Sequence, residues 1–221
     1  MPRSAGVPAA TLANTISIPQ NDIGLVEETL AEGDVAAVIL EPTGASWGTL
    51  PLRQDFLADL REVTQRYNTV LIFDEVVTGF RVAPGGAQER YGVTPDLTTL
   101  AKILAGGLPG GAVAGKADII SMMEFRGDAE WNAERRVAHP GTFNANPLSA
   151  AAGVTMLSLV AAGNHHRRTD GLMARLAPAL NGVLERRAVP GCAYGLASYF
   201  HLALGKELPR PQDGIEWPWQ D

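Results

Sequence analysis

Cysteine is almost absent from this 221-residue chain, and the single Cys192 excludes an internal disulfide and a metal cluster built on cysteine. Histidine is scarce too: His139, His165, His166 and His201 show no His-Glu-x-x-His or comparable metal-ligand spacing. Long apolar runs are lacking. The longest, Ala150 to Ala162, is interrupted by Gly153, Thr155 and Ser158 and is too short to span a bilayer. Met1 to Gln20 carry prolines and polar residues where a signal peptide needs a continuous apolar stretch. Together these absences predict a soluble, cytoplasmic protein. Positive charge is not in excess either, and a formal net charge of −6 argues against a general nucleic-acid binder. A small anionic ligand needs only a local pocket, so net charge does not bear on it.

What is present suits a folded α/β chain. Apolar residues make up 46 %, enough for a sizeable core, and 24 glycines with 15 prolines in no regular period predict many turns between short elements. There is no internal repeat. Asn21-Asp22 offers a helix cap ahead of Leu25, Val26 and Leu30, and Gly33 can close that helix. Val35 to Leu40 is a continuous apolar run of strand length, expected where both faces of a parallel strand are covered. Residues 53–67 place Phe56, Leu57, Leu60 and Val63 at helical spacing, and Thr69 to Phe73 is a second buried strand ending at Asp74-Glu75. Strand, helix and strand at these lengths predict a βαβ unit.

Further on, Leu97–Leu100 and Gly111–Gly115 read as shorter strands around a glycine-rich loop. Residues 117–125 read as a helix, 126–146 as a long loop and 147–162 as a helix opened by Pro147. A helical stretch to about Arg187 is expected to break at Gly171 and near Pro178. Residues 196–204 are expected to begin a new sheet, and the tail from Pro209 has no assignable period. Ligands of open α/β sheets bind outside the carboxyl ends of the strands. Glu41-Pro42 and Asp74-Glu75 sit at two such ends.

Three segments carry the chemistry: Leu71-Ile72-Phe73-Asp74-Glu75-Val76-Val77-Thr78-Gly79-Phe80-Arg81, then Asp96 to Gly111 with Lys102 at its centre, then Gly141-Thr142-Phe143-Asn144-Ala145-Asn146-Pro147. In this order they resemble the class III aminotransferases, pyridoxal-phosphate enzymes of fold type I, and most of all the glutamate-1-semialdehyde aminomutase branch. The resemblance runs from about Thr15 to residue 205, where Tyr199-Phe200-His201-Leu202 matches a family strand. It implies a three-layer, mostly parallel sheet, here incomplete. Residues 1–165 would form part of the cofactor-binding large domain and residues 166–221 the start of a C-terminal small domain.

The resemblance makes Lys102 the Schiff-base lysine, which needs a deprotonated amine and so a desolvated or cationic setting. Small residues Ala105-Gly106-Gly107 beside it permit close approach of backbone and cofactor. Asp74 would hold the pyridine nitrogen protonated so that the ring acts as an electron sink. Val76 would pack on the ring face. Thr142, in the Gly141-Thr142 turn, would bind the cofactor phosphate of the neighbouring subunit, implying a homodimer with shared sites. Ser46 stands where the family carries a polar residue near the cofactor hydroxyl, often asparagine in the aminomutases, and a shorter side chain there leaves the substrate open. The activity implied is amino-group transfer between small molecules, by transaminase or aminomutase chemistry.

Other residues read as structural: Arg81 paired with a carboxylate, His139 solvated in its loop, His165 to Arg168 a solvated helix face, Cys192 small and buried. The family runs to roughly twice this length. Its glycine-serine-threonine phosphate turn and ring-stacking aromatic are expected ahead of Thr15, and residues 1–20 contain neither. A truncated chain with impaired activity and weak cofactor binding is therefore expected. The alternative is a non-catalytic remnant serving as an interaction or regulatory partner of a full-length homologue. A Rossmann-type nucleotide site at Gly106–Gly111 is disfavoured, because the glycines are out of G-x-G-x-x-G order and lead to a strand.

Overall fold

The computed structural model describes residues 5–44 and 48–205. Its centre is a four-stranded sheet in the spatial order β1 (Ala37–Leu40), β3 (Val70–Glu75), β4 (Leu97–Leu100) and β5 (Ala112–Gly115). The first three are parallel and β5 runs antiparallel to β4. A two-residue strand, β2 (Leu50–Pro51), lies apart, and Pro51 bridges to Gly44. Outside the sheet a hairpin of β6 (Gly191–Leu196) and β7 (Tyr199–Leu204) closes the described chain.

Strand periodicity assigns the faces. Leu71, Phe73 and Glu75 of β3 are buried, whereas Ile72 and Asp74 are half-buried on the opposite side. After the short α1 (Ala9–Ala13) come α2 (Ile23–Ala31) and α3 (Phe56–Arg66), which meet the buried side; their Val26, Leu30, Phe56, Leu57, Leu60 and Val63 form one core with Leu71 and Phe73. Asp22 caps α2 by accepting the Leu25 amide at 3.0 Å, and Gly33 ends it at φ +77°. Both devices were expected from the sequence.

Strand β1 departs from expectation. It is shorter than the apolar run that announces it, and Ile39 is 62 % exposed. This strand is the outer edge of the sheet, and along it Val38 and Leu40 are half-buried while Ala37 and Ile39 on the opposite face are exposed. The same bare face continues to Val113 of β5.

After β4 the chain makes a 3₁₀ turn, Lys102–Ala105, then returns as β5 and enters the short helices α5 (Ala117–Ile120) and Ser121–Met123. A helix had been expected to run unbroken to residue 125. The long loop that follows contains one π-helical turn, Trp131–Arg135, braced by the Arg126 guanidinium over the Trp131 ring. Between β3 and β4 lies α4 (Gly86–Tyr91). Helix α6 (Pro147–Ala161) starts where Pro147 predicts, with the Asn146 side chain accepting the Leu148 and Ser149 amides.

Helix α7 (Asn164–Arg186) is continuous and contains Pro178, against the expected breaks at Gly171 and Pro178. Proline removes its own N–H from the helix ladder and crowds the carbonyl four residues back, a cost that docking must offset. Tertiary docking holds the rest: Asn181 accepts the Ala193 amide at 2.7 Å and donates to the Ala193 carbonyl at 2.9 Å, fastening α7 to β6. No single helix among the described residues is long and apolar enough to cross a membrane.

An ion cluster centred on the buried Asp96 ties the sheet together. Asp96 accepts the Leu71 amide at 2.7 Å and pairs with Arg61 at 2.9 Å and Lys116 at 2.6 Å. Burial alone would raise its pKa, but the Leu71 amide, Lys116 and Arg61 outweigh burial and hold the carboxyl below its usual range. Its stabilising contribution is therefore present at neutral pH and lost as pH falls through that lowered value. Asp96→Asn is expected to cost roughly 3 kcal/mol near neutrality by stranding Arg61. Urea unfolding of the two chains should show this gap, and it should shrink in acid.

Candidate active site

The carboxyl ends of β1, β3 and β4 carry the acidic and basic groups. Asp74 and Thr99 are register partners on β3 and β4. The Asp74 Oδ1 accepts the Val76 amide at 3.1 Å and the Thr99 hydroxyl at 3.1 Å. Both bonds go to one oxygen; Oδ2 accepts none from the described residues. The carboxylate is thus fixed in orientation with its second oxygen left for a donor, and a protonated ring nitrogen is a donor of the right kind. Val76 is half-buried beside it.

Lys102 begins the 3₁₀ turn three residues beyond Thr99, at φ +50°. A left-handed backbone costs a non-glycine residue about 1 kcal/mol and is tolerated where surrounding structure enforces it. Here the enforcement comes from α6. A Cβ on Gly106 would sit 2.5 Å from the Ala152 carbonyl oxygen, and one on Gly153 would sit 2.6 Å from that of Leu104. Gly106 therefore serves the approach of a helix backbone, whereas a Cβ on Gly107 would meet nothing within 4 Å. The Lys102 side chain is exposed, so the described residues do not supply the expected desolvation.

Two further carboxylates flank the site, and neither had been assigned a role in it. Glu75 is 1 % exposed and accepts the Ala87 amide at 2.6 Å and the Gln88 side chain at 3.0 Å, binding the start of α4 to the end of β3. Gly86, at φ +69°, leaves the room, since a Cβ there would lie 2.2 Å from the Glu75 Oε2. Glu41, directly after β1, accepts the Thr43 hydroxyl at 2.6 Å through Oε2, while Oε1 is buried with no hydrogen-bond partner among the described residues. Burial, aided by the Asp74 and Glu75 charges and opposed by Thr43, lifts its pKa to about 7.

The remaining expectations divide. Gly141 and Thr142 lie in an exposed loop braced by Asn144, which donates to the His139 carbonyl at 3.0 Å; no hydrogen bond joins them to β3 or β4 among the described residues. Ser46 falls outside the described residues. Arg81 donates to the Val77 carbonyl and the Ser198 hydroxyl, both at 3.0 Å, where a carboxylate partner had been expected. His166 is buried, not solvated: its Nε2 lies 2.9 Å from the Phe80 carbonyl, because α7 packs on the loop after β3. A carbonyl only accepts, so Nε2 carries the proton. Cys192 is buried, as expected, and burial raises its thiol pKa.

Comparison with known proteins decides the family. The profile described as Aminotransferase class-III matches residues 2–192. The chain belongs to the class III aminotransferases. It is 44 % identical over 193 residues to a glutamate-1-semialdehyde 2,1-aminomutase 2 of Brevibacillus brevis, covering 86 % of this chain and 43 % of that protein. Identity to the glutamate-1-semialdehyde 2,1-aminomutase of Archaeoglobus fulgidus is 40 % over 216 residues, covering 98 % and 49 %. Among solved structures, an omega-transaminase from Sphaerobacter thermophilus matches with TM-score 0.82 and 36 % identity, over 97 % of this chain and 48 % of that one. A Pseudomonas aeruginosa glutamate-1-semialdehyde aminomutase matches at 0.77 and 29 %, over 95 % and 48 %. The fold is an incomplete fold type I α/β domain. The chain spans about half the length of the curated relatives it matches.

Two outcomes follow from this geometry. Glu41 keeps its proton to higher pH folded than unfolded, so its contribution to stability declines from about pH 4.5 through about 7 and then levels. Glu41→Gln is expected to stabilise the chain by on the order of 2 kcal/mol near pH 8 and negligibly near pH 4, read by urea midpoints. Gly106→Ala, forced against Ala152, is expected to cost roughly 2 kcal/mol in the same assay.

Proposed function

We propose that this chain is the part of a pyridoxal-phosphate-dependent amino-group-transfer enzyme that grips the cofactor ring, with Lys102 and Asp74 as its catalytic residues. The observation that carries the reading is the one-sided anchoring of Asp74 by Val76 and Thr99, next to the strand that delivers Lys102. The family is one of pyridoxal-phosphate enzymes, and one solved neighbour is described as a transaminase with PLP bound.

The roles follow from the atoms. Oδ2 of Asp74, which accepts no hydrogen bond from the described residues, would hold a proton on the ring nitrogen, and Thr99 keeps the carboxylate from turning away. Val76 would pack against the ring. The Lys102 Nζ would supply the amine that holds the cofactor and would move a proton at the substrate carbon. The cofactor itself supplies the electron sink. Ser46 would lie near its hydroxyl.

Gly141 and Thr142 would serve the phosphate of a neighbouring subunit, a reading favoured by their exposure and by the exposed Leu148 and Val154 on the helix that follows. The chain would then work as a homodimer. Residues 1–165 would form the large-domain part and residues 166–221 the start of the small domain. The same exposed apolar residues, with Ile39, favour a second reading in which the chain is a non-catalytic partner of a full-length homologue.

The chain has three lysines, Lys102, Lys116 and Lys206, which makes the test clean. Borohydride reduction in the presence of pyridoxal phosphate, followed by peptide mapping, is expected to place the label on Lys102. Asp74→Ala should lower that labelling roughly ten-fold or more. Because Lys102 is exposed, half-labelling is expected only above roughly 100 µM cofactor. Equal labelling of Lys116 and Lys206 would contradict the assignment. An unlabelled chain that co-purifies with a full-length homologue would favour the second reading.

A further inference from the structure

The β6–β7 hairpin touches both loops that leave the candidate site. From β6, the Tyr194 hydroxyl donates to the Thr49 carbonyl at 2.7 Å; from β7, the His201 Nδ1 lies 3.4 Å from the Thr49 hydroxyl. Thr49 adjoins β2, whose Pro51 bridges Gly44, and the Gly44 amide in turn donates to the Glu41 carbonyl at 3.1 Å. That bridge is tight: a Cβ on Gly44 would lie 2.0 Å from the Leu50 carbonyl oxygen. A grip on Thr49 is therefore carried to the end of β1.

The tip of the same hairpin reaches the loop after β3. Arg81 donates to the Ser198 hydroxyl at 3.0 Å, and Ala197 is buried against Val82 and Ala87. Ala197 sits at φ +51° in the two-residue turn, a position where glycine would be unstrained. An alanine there is strained, and its methyl group packs beside Val82. Ala87 also donates its amide to Glu75, the residue after Asp74. At its other end the hairpin is fastened to α7 by Asn181.

We propose that the β6–β7 hairpin is a positioning element that holds the loops after β1 and β3 in register with each other, with Tyr194 and Ser198 as its positioning residues. The proposal rests on the reading above only in treating those loops as borders of the cofactor site. No bond among the described residues runs directly between the Thr43–Gly44 segment and the Arg81–Ala87 segment. The hairpin is bonded to the chain on both sides, at Thr49 and at Arg81. Tyr194→Phe and Ser198→Ala each delete one hydroxyl and leave the core untouched.

Amide hydrogen exchange on the full chain without cofactor tests this. In Tyr194→Phe the Thr43 and Gly44 amides are expected to exchange roughly ten-fold faster, and in Ser198→Ala the Val82 and Ala87 amides likewise. Each variant should also quicken the other loop, by a smaller factor, while the Leu71 amide held by Asp96 keeps its protection. A merely structural role would raise exchange at Leu71 as well, by global destabilisation. Unchanged protection of Thr43, Gly44, Val82 and Ala87 in both variants would overturn the proposal, and so would loosening confined in each variant to the loop it touches. Lys102 labelling is read separately on the unmodified chain. Its failure alone removes the cofactor reading and leaves the hairpin's role standing; failure of the exchange result alone does the reverse.

Discussion

The alternation of side chains at the end of β3 governs everything at the site. Asp74 and Glu75 are adjacent in sequence and fall on opposite faces of one strand. Glu75 goes to the buried side, where the start of α4 satisfies it; Asp74 goes to the open side, where Thr99 and the Val76 amide hold one of its oxygens. A slip of one residue in the β3–β4 register would exchange these fates and remove the site. Asp96 guards the register by binding the Leu71 amide while pairing with Arg61 and Lys116.

Around that strand the chain is asymmetric in what it covers. One face of the sheet is sealed by α2 and α3, while Ile39 and Val113 stand open on the other. Helix α6 is apolar yet exposed along much of its length, with only Gly153 fully buried, and that glycine is where the Lys102 turn docks. Rigid placement of the lysine backbone thus coexists with an open setting for its amine.

Much of this was legible in the sequence because local rules and tertiary structure agree. Asp22 and Gly33 bound α2, Asn146-Pro147 opens α6, and the run Val70–Phe73 delivers Asp74 to a strand end. What was not legible depended on partners distant in sequence. Periodicity marks Val35–Leu40 as apolar but cannot say that β1 is an edge. Proline and glycine in α7 signal breaks, and only the Asn181 clamp on β6 shows why the helix persists. His166 sits among polar neighbours in sequence and is buried by the loop after β3, eighty-six positions away. Glu75 could have been found from strand alternation alone, since two adjacent acids at the end of a buried strand cannot both face the site. The contacts of Gly106 with Ala152 and of Gly153 with Leu104 join two segments that carry no mutual signal in one sequence.

The central claim is that the unbonded oxygen of Asp74 meets the cofactor ring. Carbon-13 NMR of aspartate-labelled chain during a pyridoxal phosphate titration addresses it most directly. The account expects the Asp74 carboxyl resonance to move saturably while those of Asp59, paired with Arg53 on the surface, and of Asp96 stay in place. An Asp74 resonance that stays fixed while Lys102 becomes modified would contradict it.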